Sequence, residues 1–224
     1  MNKRLTATDQ DFAYLDSPVK GHIYQTTLKT INKLSQGQTY DFFNQWHHFS
    51  KAVLDLLAIC AWRADSDKEK VNIIKNLYSE LGLDVPGGKT HPQLLEELII
   101  EATGKAPETK KVSATTENFV NQITKEASSR SSSFSIGLLL GLEQVAYDIL
   151  EVIKEVLVKS DQPQLVKHPY ITIHEEIEAQ HIDCTEENLA NATDRLEAKV
   201  GYDFVIEEWR EFWGVIYQTL KEEA

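Results

Sequence analysis

Two histidines and one glutamate of the segment HEEIEAQH, residues 174–181, are spaced so that they would share one face of a helix. Each helical residue advances by about 100°, so Glu178 lies about 40° from His174 and His181 about 20° from it on the other side. The other two glutamates of the segment point towards water. Two imidazoles and a carboxylate converging from one helix suit a first-row metal such as iron or manganese. An exposed polar helix face is the alternative that this segment alone leaves open.

An ionisable residue also interrupts the most apolar segment of the chain, SIGLLLGLEQVAYDIL at residues 135–150. On a helix, Glu143 would share a face with Leu139, Leu140 and Leu150. A charged carboxylate on an apolar face is costly unless it is paired or coordinates a metal. Glu143 is therefore predicted to be a metal ligand, with a buried pair to lysine or arginine, or a place at a hydrated groove, as the alternatives.

Two further candidates flank a break in the helical pattern. Glu80 lies on the same helical face as Leu77, and His91 follows the sequence PGGKT and directly precedes Pro92. Glycine and proline stop one helix here, and proline suits the first turn of the next. Neither residue carries a prediction alone. The combined set has three carboxylates and three imidazoles, the kind of set from which helical bundles build two-metal sites: Glu80, His91, Glu143, His174, Glu178 and His181.

Helices must position these residues, because apolar residues recur at three-to-four spacing along nearly the whole chain and no alternating strand pattern is found. The predicted fold class is all-α, with one domain spanning residues 1–224. A loop is expected at DCTEEN, residues 183–188, and the aromatic residues near the C-terminus are predicted to form a packing face. The predicted helices cover Gly21–Leu34, Tyr40–Ala64, Lys68–Leu83, Pro92–Thr103, Glu117–Ser128, Ser135–Val158, a segment from Pro169 through residue 181, Thr185–Val200 and Asp203–Glu222.

Composition limits the classes of partner. The chain has 224 residues, 42% of them hydrophobic, and a formal net charge of −12. An acidic surface argues against nucleic acid and anionic membranes as partners and favours small molecules or proteins. The N-terminal sequence lacks the apolar stretch of a signal peptide, and no apolar run is long enough to span a membrane. The two cysteines form no CxxC pair, so a reducing, cytoplasmic location is expected.

The ordered motifs resemble those of a known family. They comprise a glutamate in an N-xxx-E-x-G context at residues 76–82, a His-Pro pair at 91–92, a glutamate after a glycine of an apolar helix at 141–143, and H-x3-E-x2-H at 174–181. This set is similar to the haem-oxygenase-like diiron oxidases, which include CADD-like and fatty-acid-decarboxylating proteins. The family shares the fold of haem oxygenase, TenA and PqqC. The resemblance extends from about residue 40 to the C-terminus.

The resemblance implies a haem-oxygenase-like bundle of about seven to nine helices that holds two iron ions per chain through the six residues named above. It implies an oxidase or oxygenase that uses O2 and an external electron donor. The substrate would be a small organic acid or amine, or a side chain of the protein itself. Tyr24 and Tyr170 are candidate catalytic residues, as counterparts of tyrosines in the CADD-like branch. A homodimer is the expected assembly.

Two alternatives come from other classes. The first is a metal-free helical protein that binds a ligand or partner in the same cavity. The second is a PqqC-like enzyme that needs O2 but no metal or other cofactor. Stoichiometric metal binding by the glutamate and histidine set distinguishes the diiron prediction from both.

Overall fold

The structure is a computed structural model that describes residues 12–14, 16–85 and 87–221. Within these residues it is helical and contains no strand, which confirms the all-α prediction. Short 3-10 segments occupy Leu28–Thr30, Thr109–Lys111 and Pro163–Lys167. The α-helices are α1 (His22–Thr26), α2 (Gln36–Arg63), α3 (Asp67–Glu80), α4 (His91–Thr103), α5 (Ala114–Ser129), α6 (Ser132–Gln144), α7 (Ala146–Lys159), α8 (Pro169–Ala190) and α9 (Arg195–Thr219).

The predicted helix over Gly21–Leu34 is wrong in extent, because only α1 and one 3-10 turn form there. Threonine side chains compete for the backbone carbonyls of this segment. The hydroxyl of Thr26 donates to the His22 carbonyl at 3.0 Å, and that of Thr30 donates to the Thr27 carbonyl at 2.8 Å. Such local bonds offer the backbone an alternative to a regular helix.

The predicted loop at residues 183–188 is also wrong, because α8 continues through it as far as Ala190. Tertiary contacts hold these polar residues in the helix. The buried Asn188 accepts a hydrogen bond from the Asn72 amide of α3 at 3.0 Å, and the same amide donates to Glu187 at 2.8 Å. The neighbouring helix therefore overrides a weak helix propensity.

The predicted single helix over Ser135–Val158 is divided at Val145 into α6 and α7. Two side chains from elsewhere in the chain bond Gln144 at the break. Tyr202 donates to its side-chain oxygen at 2.8 Å, and Tyr14 lies 3.4 Å from its backbone carbonyl. The C-terminal helix also differs from prediction: α9 is continuous over a segment where two helices were expected. The predicted end at Glu222 lies outside the described residues.

Helix α8 lies among α3, α4, α6 and α7, while α2 packs against α3, α4, α5 and α9. The closest packing is between α6 and α9, where a Cβ on Gly137 would collide with the carbonyl of Ala198. The buried side chains form one continuous cluster. It includes Trp209, Phe212, Trp213 and Tyr217 of α9, which confirms the aromatic packing face. No helix within the described residues is long and apolar enough to cross a membrane.

Candidate metal centre

The six candidate ligands converge from four helices into two groups. In each group, one possible ligand atom per residue lies within 4.8 Å of the others. Helix α8 contributes to both groups, and α3, α4 and α6 each contribute one residue. The interior placement of all six separates this site from a solvated polar helix face. The first group is Glu80, His91 and His174, and the second is Glu143, Glu178 and His181.

The first group depends on the turn that joins α3 to α4. Glu80 is the last residue of α3, and Gly82 two residues later has φ +66°, a conformation that side chains rarely adopt. A Cβ at Gly82 would also collide with the Lys89 carbonyl. The turn can therefore close tightly enough for His91, the first residue of α4, to place Nδ1 3.0 Å from Glu80 Oε2.

Helix N-termini orient both histidines of the first group. Thr90 caps α4 through a capping box with Gln93, in which the two side chains each accept from the other residue's backbone N–H. His168 caps α8 by accepting from the backbone N–H of Tyr170 at 3.2 Å. These caps set the start of each helix, and with it the positions of His91 and His174.

The ring orientation of His174 is fixed by its own helix. Its Nδ1 lies 2.5 Å from the Tyr170 carbonyl oxygen. A carbonyl accepts only, so Nδ1 carries the proton and Nε2 is left with a free lone pair. Metal-binding histidines characteristically donate their second ring N–H in this way. The His174 ring also packs against those of His91 and Tyr170 in a tilted arrangement, with ring centroids at 4.5 and 4.4 Å.

The second group lies where α6 meets α8. His181 Nδ1 and Glu143 Oε2 are 3.8 Å apart. Asn76 of α3 lies over both, with its amide nitrogen 3.4 Å from Glu143 Oε1 and 3.5 Å from the His181 carbonyl. Asn76 belongs to the sequence motif, but its position beside the second group is visible only in the tertiary structure.

Several buried polar atoms of the site have no hydrogen-bond partner among the described residues. They are both ring nitrogens of His91, Nε2 of His181 and Oε2 of Glu178. The Glu80–His91 contact is short, but its geometry is not that of a hydrogen bond. Unpaired buried polar atoms are costly and rare. Because they belong to the groups predicted to be ligands, the donor set fits metal ions that would complete their coordination.

The carboxylates of the site have shifted pKa values. Burial, with a further contribution from Glu80, raises the pKa of Glu143 to about 8. Burial and the neighbouring carboxylates also raise the pKa of Glu178 well above its usual value. Burial acts in the same direction on Glu80, but the adjacent histidines outweigh it and lower its pKa. Within the described residues no lysine or arginine forms an ion pair with these groups, so a cationic partner is missing.

Two of the histidines are predisposed to be neutral. Burial, together with nearby His91, lowers the pKa of His174 to about 4. Burial also lowers the pKa of His181. Neutral imidazole is the form that binds a metal. At neutral pH both rings are therefore available as ligands without losing a proton.

A cavity of about 80 Å³ adjoins both groups. Glu80, Glu143, His174 and Glu178 contribute to its wall. The remaining lining is mainly apolar and comes from α2, α6, α7 and α9, and it includes Phe49, Leu57, Leu142, Ile149, Leu150 and Trp209. The cavity thus combines a few ionisable groups with a mainly apolar lining, as ligand pockets commonly do.

The two candidate tyrosines occupy different places. Tyr170 lies against His174 and lines the cavity, and its hydroxyl accepts a hydrogen bond from Trp46 Nε1 at 2.8 Å. Tyr24 lies on α1 and donates to Glu155 of α7 at 2.6 Å. It is absent from the lining of the cavity. Trp46 was not singled out by sequence reasoning, because a tryptophan in an aromatic helix is indistinguishable there from core.

An all-α bundle that gathers histidines and carboxylates from four helices around an apolar cavity has the architecture of a haem-oxygenase-like protein. Residues 40–210, about three quarters of the chain, match the family of iron-containing redox enzymes. The chain belongs to this family. No curated protein matches its sequence.

Solved structures confirm the fold. A CADD-like protein of unknown function from Nostoc punctiforme has a TM-score of 0.81 at 16% identity, with 95% of each chain covered. A domain of unknown function with a haem oxygenase-like fold from Shewanella denitrificans has a TM-score of 0.70 at 18% identity, covering 96% of this chain and 88% of that one. A TenA homologue from Pyrococcus furiosus has a TM-score of 0.62 at 13% identity, with 95% of each chain covered.

Proposed function

We propose that this protein is a non-haem diiron oxidase or oxygenase that uses O2 to oxidise a small organic acid or amine. The observation that carries the proposal is the convergence of two glutamate and histidine triads, with unpartnered buried ligand atoms, inside a member of an iron-containing redox enzyme family. Oxidation of a side chain of the protein itself is the variant of this chemistry that needs no separate substrate.

One iron would be held by Glu80, His91 and His174, and the other by Glu143, Glu178 and His181. Nitrogen and oxygen donors hold iron while leaving open coordination positions. Iron held there would supply the redox chemistry that activates O2, which is the oxidant. Three carboxylates offset most of the charge of two divalent ions, which accounts for a buried acidic cluster without lysine or arginine partners.

The rest of the chain positions the substrate and excludes water. The apolar wall of the cavity would hold a hydrocarbon part of the substrate, while its polar end faces the ligand groups. Burial raises the pKa of Tyr170 above its usual value, so its hydroxyl stays protonated beside the site. Full reduction of O2 to water takes four electrons. A substrate oxidised by two electrons therefore requires two more from an external donor.

Anaerobic loading with Fe(II), followed by removal of excess metal and measurement of iron per chain, tests the proposal. We expect about two irons per chain in the native protein. Glu143→Ala and His174→Ala each remove a ligand and should reduce the bound iron. Glu175→Ala is the control, because this exposed residue lies on the same helix and pairs with Lys154. A folded native protein that retains no iron would overturn the proposal.

The apolar cavity favours one alternative, a metal-free protein that binds an apolar ligand there. Ligand binding that is unaffected by iron and by Glu143→Ala would support that function. A PqqC-like oxidase would show O2 consumption in the iron-free protein. These outcomes separate the three functions in one series of samples.

We propose further that the protein forms a homodimer through one end of the bundle. Trp62 and Leu196 have exposed fractions of 85% and 82%. They lie at the same end, because Arg63 donates to the Arg130 carbonyl and Arg130 pairs with Glu197 at 2.8 Å. Exposed apolar side chains that form a contiguous patch commonly mark contact surfaces. Sedimentation of the native protein and of Trp62→Gln tests this assembly.

A further inference from the structure

Five tyrosine and tryptophan side chains form a continuous series from the candidate metal centre to the outside of the bundle. Trp46 Nε1 donates to the Tyr170 hydroxyl at 2.8 Å. The centroids of successive rings then lie 5.8 Å apart from Trp46 to Trp213, 5.5 Å from Trp213 to Tyr217, and 5.8 Å from Tyr217 to Tyr24. All five side chains are buried.

The inner end of the series contacts a candidate ligand, since the rings of Tyr170 and His174 are 4.4 Å apart. The outer end reaches charged groups at the surface. The Tyr24 hydroxyl donates to Glu155 Oε2 at 2.6 Å, and the half-exposed Lys29 binds the same oxygen at 2.9 Å. Lys29 also lies over the Tyr24 ring.

The packing of an aromatic core can be achieved with phenylalanine and does not by itself require tyrosine and tryptophan in this series. Tyrosine and tryptophan are the side chains most readily oxidised by one electron, whereas phenylalanine is not. Phe42, Phe49 and Phe212 occupy the same aromatic core. The tyrosine and tryptophan rings nevertheless connect the candidate metal centre to Tyr24 without a phenylalanine between them, so each step joins two oxidisable side chains in contact.

We infer that this series is a relay through which oxidising equivalents leave the iron centre when no substrate is bound. The inference rests on the proposed function, which supplies the oxidant. One electron moves inward from Tyr24, through the intervening rings and Tyr170, to the oxidised centre. Tyr24 loses that electron and its hydroxyl proton, and the proton moves to Glu155 Oε2. An external one-electron reductant, such as a thiol or ascorbate, returns the electron, and the proton returns to Tyr24.

The hydrogen-bond partners explain why Tyr24 is the end point. Oxidation of tyrosine is far more favourable when the phenolic proton has a hydrogen-bonded base to receive it. The Tyr217 hydroxyl donates to the Val19 carbonyl at 2.9 Å, and a carbonyl is a poor base. Tyr24 donates to a carboxylate instead. Burial acts to raise the pKa of Glu155, but Tyr24 and Lys29 outweigh it and hold the pKa below its usual value, so Glu155 is ionised and able to accept.

The test is freeze-quench electron paramagnetic resonance of the iron-loaded protein exposed to O2 without substrate, with iron content and Fe(II) loss measured on the same samples. The native protein should show a tyrosyl radical. Tyr24→Phe should lose this signal, and Glu155→Gln should shorten its lifetime. Tyr40→Phe is the matched control, because Tyr40 is equally buried and its hydroxyl also reaches a carboxylate, that of Glu108 at 3.5 Å, but it lies away from the series and bonds the Ala106 carbonyl at 3.1 Å.

A second measurement follows the relay without relying on the radical. Trp213→Phe interrupts the series at its middle. After repeated exposure to O2, peptide mass spectrometry should find more oxidised Trp46 and Tyr170 in Trp213→Phe and Tyr24→Phe than in the native protein or Tyr40→Phe. Thermal melts confirm that each variant is folded.

The outcomes separate the two proposals. Failure of the folded native protein to bind iron, or to oxidise its Fe(II) with O2, overturns the proposed function and the relay with it. Bound iron that is oxidised by O2 without any side-chain radical overturns the relay alone. A radical and an oxidation pattern that are the same in Tyr24→Phe and the native protein also overturn the relay alone.

Discussion

His174 Nδ1 lies 2.5 Å from the carbonyl oxygen of Tyr170, the residue one turn earlier on the same helix. This hydrogen bond to a backbone carbonyl of α8 fixes the tautomer of His174, a ligand predicted from the sequence. It also ties the ring to Tyr170, whose hydroxyl is held by Trp46 of α2. The orientation of His174 thus depends on two helices that are distant in sequence.

Metal affinity should rise with pH up to about pH 8. A metal ion competes with protons for Glu143 and Glu178, and the pKa of Glu143 is raised to about 8 in the metal-free site. His174 does not contribute to this rise, because its pKa is lowered to about 4. Titration calorimetry with Mn(II) in buffers of different ionisation enthalpy measures the protons released. A rise in metal affinity centred near the usual pKa of histidine would contradict the assignment of the released protons to Glu143 and Glu178.

Glu143→Gln should abolish binding at the second group yet stabilise the metal-free protein at high pH. The pKa of Glu143 is about 8 in the folded protein and about 4.5 in the unfolded chain. The free energy of unfolding is therefore highest below pH 4.5, where Glu143 is protonated in both states, and it falls as the pH rises to about 8, because the unfolded chain loses the proton more easily. At pH 9 the metal-free variant should be more stable than the native protein by on the order of 5 kcal/mol, with little difference near pH 4.5. Urea denaturation of both proteins at the two pH values measures this. If the native protein were the more stable of the two at pH 9, the pKa of Glu143 could not be raised by burial.

Asn76→Ala should lower metal affinity about 10- to 100-fold while leaving the fold intact, because Asn76 orients Glu143 and contacts the His181 carbonyl. Asn72→Ala is the matched control. Asn72 is also buried on α3, one turn earlier, but its amide donates to Glu187 and Asn188, away from the ligands. Competition with a metal chelator gives both affinities. Equal losses in the two variants would mean that Asn76 acts only through the packing of α3.

Gly82→Ala should destabilise the protein more than Gly87→Ala and should also weaken metal binding. Both glycines have positive φ values, so both variants incur about 1 kcal/mol of backbone strain. Only Gly82 has a neighbouring carbonyl, that of Lys89, where the new Cβ would lie, whereas Gly87 faces open space. Thermal melts and iron content distinguish the two variants. Identical behaviour would show that the turn between Glu80 and His91 can relax.

The sequence by itself determined the all-α class, the family resemblance and the six candidate ligands. Helical periodicity predicts which residues share a face, and this is sufficient to place His174, Glu178 and His181 on one stripe of a helix. Glu143 was conspicuous because a carboxylate is costly on an apolar face. The inferences about these four residues depend only on spacing within one segment, which the regular geometry of a helix fixes, whereas Glu80 and His91 were added from the order of motifs along the chain.

Only the tertiary structure decided how the ligands divide into two groups, because that division depends on how α3, α4 and α6 pack around α8. It also decided that residues 183–188 are helical, since their polar side chains find partners on α3. The series of rings from Tyr170 to Tyr24 was invisible in the sequence, because its members come from four helices. Contacts between segments distant in the chain leave no periodic signal, so packing alone determines them.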